Sequence, residues 1–208
     1  MPAKKKPRTE TRFRKVIMPK GSHPAIRRVR RKGIAPSIHG NKLWKSSCLL
    51  IDYMKKNPPP HYETIMDVGC GWGIAGIWCA KAMGSRVVSV DADPDVFPYL
   101  DAVAELNGVK TEHLVSRFEK LGTKRLQGQD MLIAADICFW DDLVKPVNNM
   151  VNRAIKAGVK QILIADPERS TFLEMAERVI DKHGGDLVDW EVSGSVEARG
   201  AILVIDNR

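Results

Sequence analysis

The chain has 208 residues, 44% of them hydrophobic and 28% charged, which suits one globular unit with a sizeable core. Its formal net charge is +8, and no apolar run approaches the roughly 20 residues of a membrane span, so no membrane partner is expected. The basic N-terminus has no apolar stretch behind it and is not read as a secretory leader. Cys48, Cys70, Cys79 and Cys138 form neither a CxxC pair nor a metal-ligand spacing. They are read as reduced thiols in a cytoplasmic protein, with no metal expected.

The charge is uneven. Residues 1–40 hold 13 Lys or Arg against Glu10 alone, a net +12, while the remainder carries −4. The expected organisation is a basic arm over 1–40, partly disordered, followed by one domain over 41–208. Residues 1–20 read as a solvated tail. Residues 21–40 alternate basic and apolar positions, a pattern that can fold onto the domain. Such an arm also suits nucleic acid or an acidic protein face, by counterion release.

From residue 41 the periodicity is regular. Leu43, Trp44, Leu49, Leu50, Tyr53 and Met54 make a helical stripe, stopped by Asn57 and Pro58 to Pro60. TIMDVG is a short buried strand, and a helix spans Gly73 to Met83, ended by Gly84. RVVSVD is a second strand; Pro94 suits a first helical turn, so Asp93 or its neighbour is expected to cap a helix running to Leu106. EHLVS is a third strand, RFEKLGTKRL a short helix and DMLIAAD a fourth strand. Leu143 to Ala157 is a helix, KQILIAD a fifth strand and Ser170 to Lys182 a helix closed by glycines. DLVDWEVSG and RGAILVID follow without an intervening helix. Alternating strands and helices predict an α/β fold, a doubly wound Rossmann-like sheet of seven strands. It is mostly parallel, with an antiparallel hairpin at one edge.

Between the first strand and its helix lies DVGCGWG, with Gly69, Gly71 and Gly73 alternating with bulky residues. Glycines at such a turn serve a left-handed backbone or close approach of another group. In an open α/β sheet this turn faces the ligand site. The second strand ends at Asp91, whose carboxylate suits the two ribose hydroxyls of an adenosine ligand. The dinucleotide fingerprint GxGxxG is not met, because its sixth position is Ile74.

These motifs, DVGCGWG and SVDADP, together with the final helix-free hairpin, resemble the class I, seven-β-strand S-adenosylmethionine-dependent methyltransferases over residues 40 to 208. The resemblance implies S-adenosyl-L-methionine as cofactor. Gly69, Gly71 and Gly73 would then pass under its methionine part, Asp67 would hold its amino group and Asp91 its ribose. Ala92 and Asp93 would lie near the ribose and adenine, and Phe118 would flank adenine.

The fourth strand ends AADICFWDD. Neither an NPPY-type stretch nor paired catalytic cysteines are present, and Cys138 alone makes no such site. Asp136-Ile-Cys-Phe139 resembles the DxxY/F signature of the protein lysine methyltransferases, and HGNKLWKSSCLLIDYM their preceding helix, which would put Trp44 in the cofactor pocket and Asp136 at its edge. IADPERS resembles the DPGR segment of the branch acting on the β subunit of electron-transfer flavoprotein, with Glu168 in place of the glycine. A lysine amine is neutral in only about one copy in 2,500 at pH 7. Phe139 and Trp140 suit a slot that favours the neutral amine, and Asp136 suits its docking. Asp141 and Asp142 read as helix-start residues. Asp166 and Arg169 fall on the same edge, Arg169 either pairing with Asp166 or Glu168 or meeting an acidic substrate group. His39 and His61 read as loop residues rather than bases. The expected function is N-methylation of a lysine side chain on a partner protein. The alternatives are an RNA methyltransferase that grips phosphates with the arm, and a small-molecule amine N-methyltransferase. The oligomeric state is not specified by these features.

Overall fold

The computed structural model describes residues 8–37, 40 and 42–208. In chain order the elements are β1 (Glu10–Phe13), β2 (Val16–Pro19), α1 (Pro24–Arg31), α2 (Ser46–Lys56), β3 (Thr64–Val68), α3 (Ile74–Ala82), β4 (Arg86–Asp91) and α4 (Phe97–Asn107). They continue with β5 (Glu112–Val115), α5 (Thr123–Leu126), β6 (Met131–Ala135), α6 (Asp141–Lys156), β7 (Gln161–Asp166), α7 (Ser170–His183), β8 (Asp186–Val192) and β9 (Ala198–Asp206). β3 to β9 form one seven-stranded sheet in the order β5-β4-β3-β6-β7-β9-β8. Every pairing is parallel except those of β9 with β7 and β8. This is the expected doubly wound sheet with its antiparallel edge.

The central strands read as near-continuous apolar runs because both faces are covered. On β3, Ile65 faces a core with α2, α3 and α4, while Met66 and Val68 face one with α6 and α7. On β6, Met131 and Ile133 join the first core, and Leu132 and Ala134 the second. The order reverses direction between β3 and β6, so the loops leaving these two strands border a crevice. Among the described residues no helix is long and apolar enough to cross a membrane.

Some boundaries differ from the sequence reading. α2 begins at Ser46, so Leu43 and Trp44 lie in the segment before it. The short helix expected after the third strand is a 3-10 turn, Phe118–Lys120, and the single turn of α5, separated around Gly122. Asp93 does cap the turn Pro94–Val96 that leads into α4, accepting the Asp95 N–H at 2.9 Å.

The basic arm is the main correction. Residues 8–20, read as a solvated tail, form the β1–β2 hairpin instead. Its two-residue turn holds Arg14 and Lys15 at φ 45° and 74°, a conformation that asparagine or glycine would signal and these residues do not. Burial of Phe13, Val16 and Met18 in the first core compensates. The carboxamide of buried Asn107 grips β2 from α4, accepting the Ile17 N–H at 2.8 Å and donating to the Ile17 carbonyl at 3.0 Å. α1 buries Ile26 and Val29 and packs on α4. Beyond α1 the chain is tied across the sheet edge at three points. Tyr99 Oη donates to Ile34 O at 2.7 Å, Ser37 Oγ to Asp93 Oδ2 at 2.9 Å, and Trp72 Nε1 to Gly40 O at 2.8 Å.

Asp52 on α2 locks the hairpin to the domain. Its side chain is 1% exposed and receives Arg14 Nε at 2.8 Å, Lys56 Nζ at 3.0 Å and the Trp190 indole N–H at 3.2 Å. Burial opposes its charge, but hydrogen bonds from Lys56 and Arg14 outweigh that and hold the carboxyl below the usual range. A depressed folded value means a contribution that is complete above about pH 4 and lost as pH falls further. Asp52→Ala is expected to cost about 1–3 kcal/mol at pH 7 in urea unfolding, shrinking towards pH 3. An unchanged midpoint at pH 7 would show that this lock contributes nothing.

Candidate active site

The carboxyl ends of β3, β4, β6 and β7 meet at one edge of the sheet. The turn after β3 is pinned by β4. Val90 O accepts the N–H groups of Gly69 at 2.8 Å and Cys70 at 3.0 Å, and Asp91 Oδ2 accepts that of Gly71 at 3.0 Å. Three successive amides are therefore committed to the protein, not aimed at a ligand. What the turn offers is surface. Gly69, Gly71 and Gly73 all have positive φ, but their surroundings differ. A side chain at Gly69 would run into Ile137, 2.5 Å from its Cβ position, and one at Gly73 into Leu100 at 2.8 Å. At Gly71 nothing lies within 4 Å. Gly69 and Gly73 are thus glycines for close packing, and Gly71 alone leaves an open floor.

Asp67, on β3, is buried and its Oδ2 accepts the Gly76 N–H of α3 at 3.0 Å. Gly76 is a contact the sequence reading missed: a Cβ there would lie 2.8 Å from that oxygen. Burial pushes the Asp67 carboxyl up to about 7, against the lowering effect of the Gly76 bond. Gly73 stands at the N-cap of α3, with no side-chain cap. Asp91 stands half-buried across the turn, its Oδ1 accepting the Asp93 N–H at 3.0 Å. Burial raises its carboxyl too, although N–H groups of Asp93 and Gly71 bond to it. Each of its oxygens keeps a lone-pair direction for a hydroxyl donor. Ala92 is exposed beside it. These groups fit the adenosine-containing cofactor expected from the sequence: an unobstructed backbone floor at Gly71 and an acceptor pair one strand over.

The loop after β6 forms the other wall. Asp136 has φ 57° and is buried; its Oδ1 receives Arg169 Nη1 at 2.9 Å. The same Nη1 reaches Asp166 Oδ2 at 2.6 Å, and Asp166 Oδ1 accepts the Arg169 N–H at 2.8 Å. Arg169 thus pairs with both aspartates rather than with Glu168. Burial pushes Asp166 up to about 6 even beside this guanidinium. Among the described residues Asp136 Oδ2 is buried without a hydrogen-bond partner, a costly state that a donor from outside would relieve. Phe139 and Trp140 follow, their rings edge to face at 4.7 Å, with Trp140 49% exposed. Ile137 of this loop touches the Gly69 position, so the two walls meet. Asp141 and Asp142 open α6 as expected. Glu168 holds φ 65°, a backbone state that favours glycine.

The remaining candidates are more dispersed. Trp44 is half-buried, with Lys42 Nζ 4.0 Å from its ring centre. Phe118 packs partly buried against the second core. Its carbonyl and that of Leu121 accept from Arg153 at 2.6 and 2.8 Å. His61 is exposed just before β3, at the opposite end of that strand from the glycine turn, and His39 lies outside the described residues.

A family model described as lysine methyltransferase matches residues 29–179. The electron transfer flavoprotein β subunit lysine methyltransferase of Danio rerio is 25% identical over 62% of this chain and 50% of its own length. The protein of the same name from Xenopus laevis is 24% identical over 74% of this chain and 61% of its own length. The chain therefore spans about half the length of the relatives it matches. Among solved structures, the tRNA (uracil-54, C5)-methyltransferase of Pyrococcus abyssi, in complex with S-adenosyl-L-homocysteine, superposes with a TM-score of 0.58 at 17% identity. That match covers 94% of this chain and 42% of the other, and supports the fold alone.

A carboxyl raised on folding is stabilising while protonated, and its contribution is lost as pH climbs through the folded value. Asp67→Asn keeps an acceptor for Gly76 and removes that loss. It is expected to be at least about 1 kcal/mol more stable than the parent at pH 8, with the advantage vanishing towards pH 4. Parallel pH profiles in chemical denaturation would refute the assignment.

Proposed function

The chain belongs to the lysine methyltransferase family, and on that premise we propose that it transfers a methyl group from S-adenosyl-L-methionine to a lysine side chain of a partner protein. The observation that carries this reading is Asp136 Oδ2, buried and without a hydrogen-bond partner among the described residues, on the loop that carries Phe139 and Trp140 and adjoins the glycine turn.

In this reading Asp91 takes the ribose hydroxyls, with Ala92 beside them. The open floor at Gly71 lies under the methionine part. Asp67 supports that turn from behind through Gly76. Trp44 and Phe118 border the pocket. The cofactor, when bound, supplies an electrophilic methyl carbon. Asp136 Oδ2 accepts an N–H of the incoming amine and aligns its lone pair, while Arg169 and Asp166 fix the Asp136 carboxylate. The Phe139–Trp140 pair strips water from the amine and favours its neutral form, with the proton passing to solvent. The protein's contribution is chiefly alignment, which supplies up to about 7–11 kcal/mol for a well-oriented pair.

The deciding experiment incubates the chain with methyl-radiolabelled cofactor and host lysate. Label in protease-sensitive, nuclease-resistant material is expected. Label lost to nuclease, or confined to small molecules, would overturn the protein substrate.

Two substitutions test the residue roles. Gly71→Val is expected to abolish calorimetric cofactor binding in a chain that still folds, at about 1–2 kcal/mol lower stability from its left-handed backbone. Retained binding would remove the cofactor from this floor. Asp136→Ala is expected to cut turnover by about tenfold or more while cofactor affinity changes less than twofold, as for a group that touches only the acceptor. Full activity would end the docking role.

A further inference from the structure

A cleft of about 570 Å³ opens beside the glycine turn rather than over it. Its walls are the β1–β2 hairpin, α1, Lys42, Leu43 and Lys45, and the turn between β8 and β9. That last turn overhangs the active edge, because β9 pairs Ala201 with Asp166 and continues outward to Ala198. Ser195 Oγ closes the wall onto the hairpin by donating to Arg12 O at 2.9 Å. Trp72, between Gly71 and Gly73, lines the cleft as well, so cleft and crevice share a wall.

The lining is cationic: Lys20, Arg30, Lys42 and Lys45 face Glu197. Arg30 is seated on the Gly21 carbonyl at 3.3 Å, and Lys42 over Trp44. Lys20 and Lys45 have no carboxylate in ion-pair range among the described residues. From residue 8 to Lys45 the described chain carries one acid, Glu10, already held by Arg12 and His23 at 3.5 Å each. Lys20 and Lys45, with no carboxylate partner among the described residues, favour an anionic occupant in this concave site.

Resting on the lysine-methylating reading above, we propose that this cleft docks an acidic segment of the protein substrate, so that the target lysine enters the crevice past Trp72. The cleft's volume suits a few side chains. Its apolar floor of Met18, Leu43 and Val196 suits a peptide. A single-stranded nucleic acid would want exposed aromatic platforms for its bases. Trp72, the aromatic residue of the lining, is 3% exposed and already stacked on Tyr99 at 5.3 Å.

The test is fluorescence anisotropy on the full chain without cofactor. The probes are an oligoglutamate peptide carrying one lysine and an oligouridine of equal length. The variants are Lys20→Glu with Lys42→Glu, the milder Lys20→Gln with Lys42→Gln, and Lys124→Glu with Arg125→Glu on α5 as a remote control. The expected result is peptide affinity lowered about tenfold by the cleft reversal, less by the neutral pair, and unchanged by the control. Equal losses in cleft and control variants overturn the proposal as diffuse attraction. Oligouridine binding that exceeds peptide binding and falls with the cleft variants overturns it in favour of nucleic acid. Circular dichroism checks folding, and the neutral pair decides if the reversal does not fold. Because binding needs no turnover, peptide docking by a chain that methylates no protein would sink the catalytic reading and leave the cleft assignment standing.

Discussion

The end of β4 organises everything around it. By accepting three consecutive amides of the glycine turn, through Val90 O and Asp91 Oδ2, it fixes the backbone where β3 gives way to α3. Gly69 and Gly71 reach these bonds in left-handed conformations that favour glycine, while Gly73 bonds back to Cys70 O and packs against Leu100. The bonds to β4 also place the free acceptor capacity of Asp91 next to the bare floor at Gly71. Asp91 is thus structural in this turn, and under the proposed function it would also face the cofactor.

On the other side of the crevice, charge is balanced differently. One guanidinium, Arg169, joins Asp136 to Asp166 and leaves a net negative group at the end of β6 and β7. Under the proposed function, an incoming amine would meet the two aromatic rings at the rim, which favour its neutral form, before the buried carboxylate that would dock it. Docking and deprotonation pull in opposite directions. The loop separates them, with the carboxylate buried and Trp140 half exposed at the rim.

Much of this was legible in residue order. The strands with both faces buried, the helix stops and the DVGCGWG turn all rest on local rules, and those rules agreed with the sheet observed. What stayed hidden involved contacts between distant segments. The Arg14–Lys15 turn carries no glycine or asparagine, and its stability comes from Asp52 and from three apolar residues that reach the core. A run of charge near the N-terminus resembles a tail until its sparse apolar positions are seen to find partners. Similarly, glycines of one motif look alike in sequence, yet only neighbours in space separate Gly71 from Gly69 and Gly73. Glu168 shows the converse: its φ of 65° is the state that the glycine of the resembling segment would adopt freely.

The ties at Ile34, Ser37 and Gly40 bear on how the arm can be dissected. They make residues 8–37 and Gly40 a supporting flange of the crevice, gripped by Tyr99, Asp93 and Trp72. Clipping that segment away would unseat the stacked tryptophan and bare the adjoining helices, so a shortened protein would lose its charge and its scaffold in one stroke. Only point changes to the cationic tips can tell attraction apart from architecture.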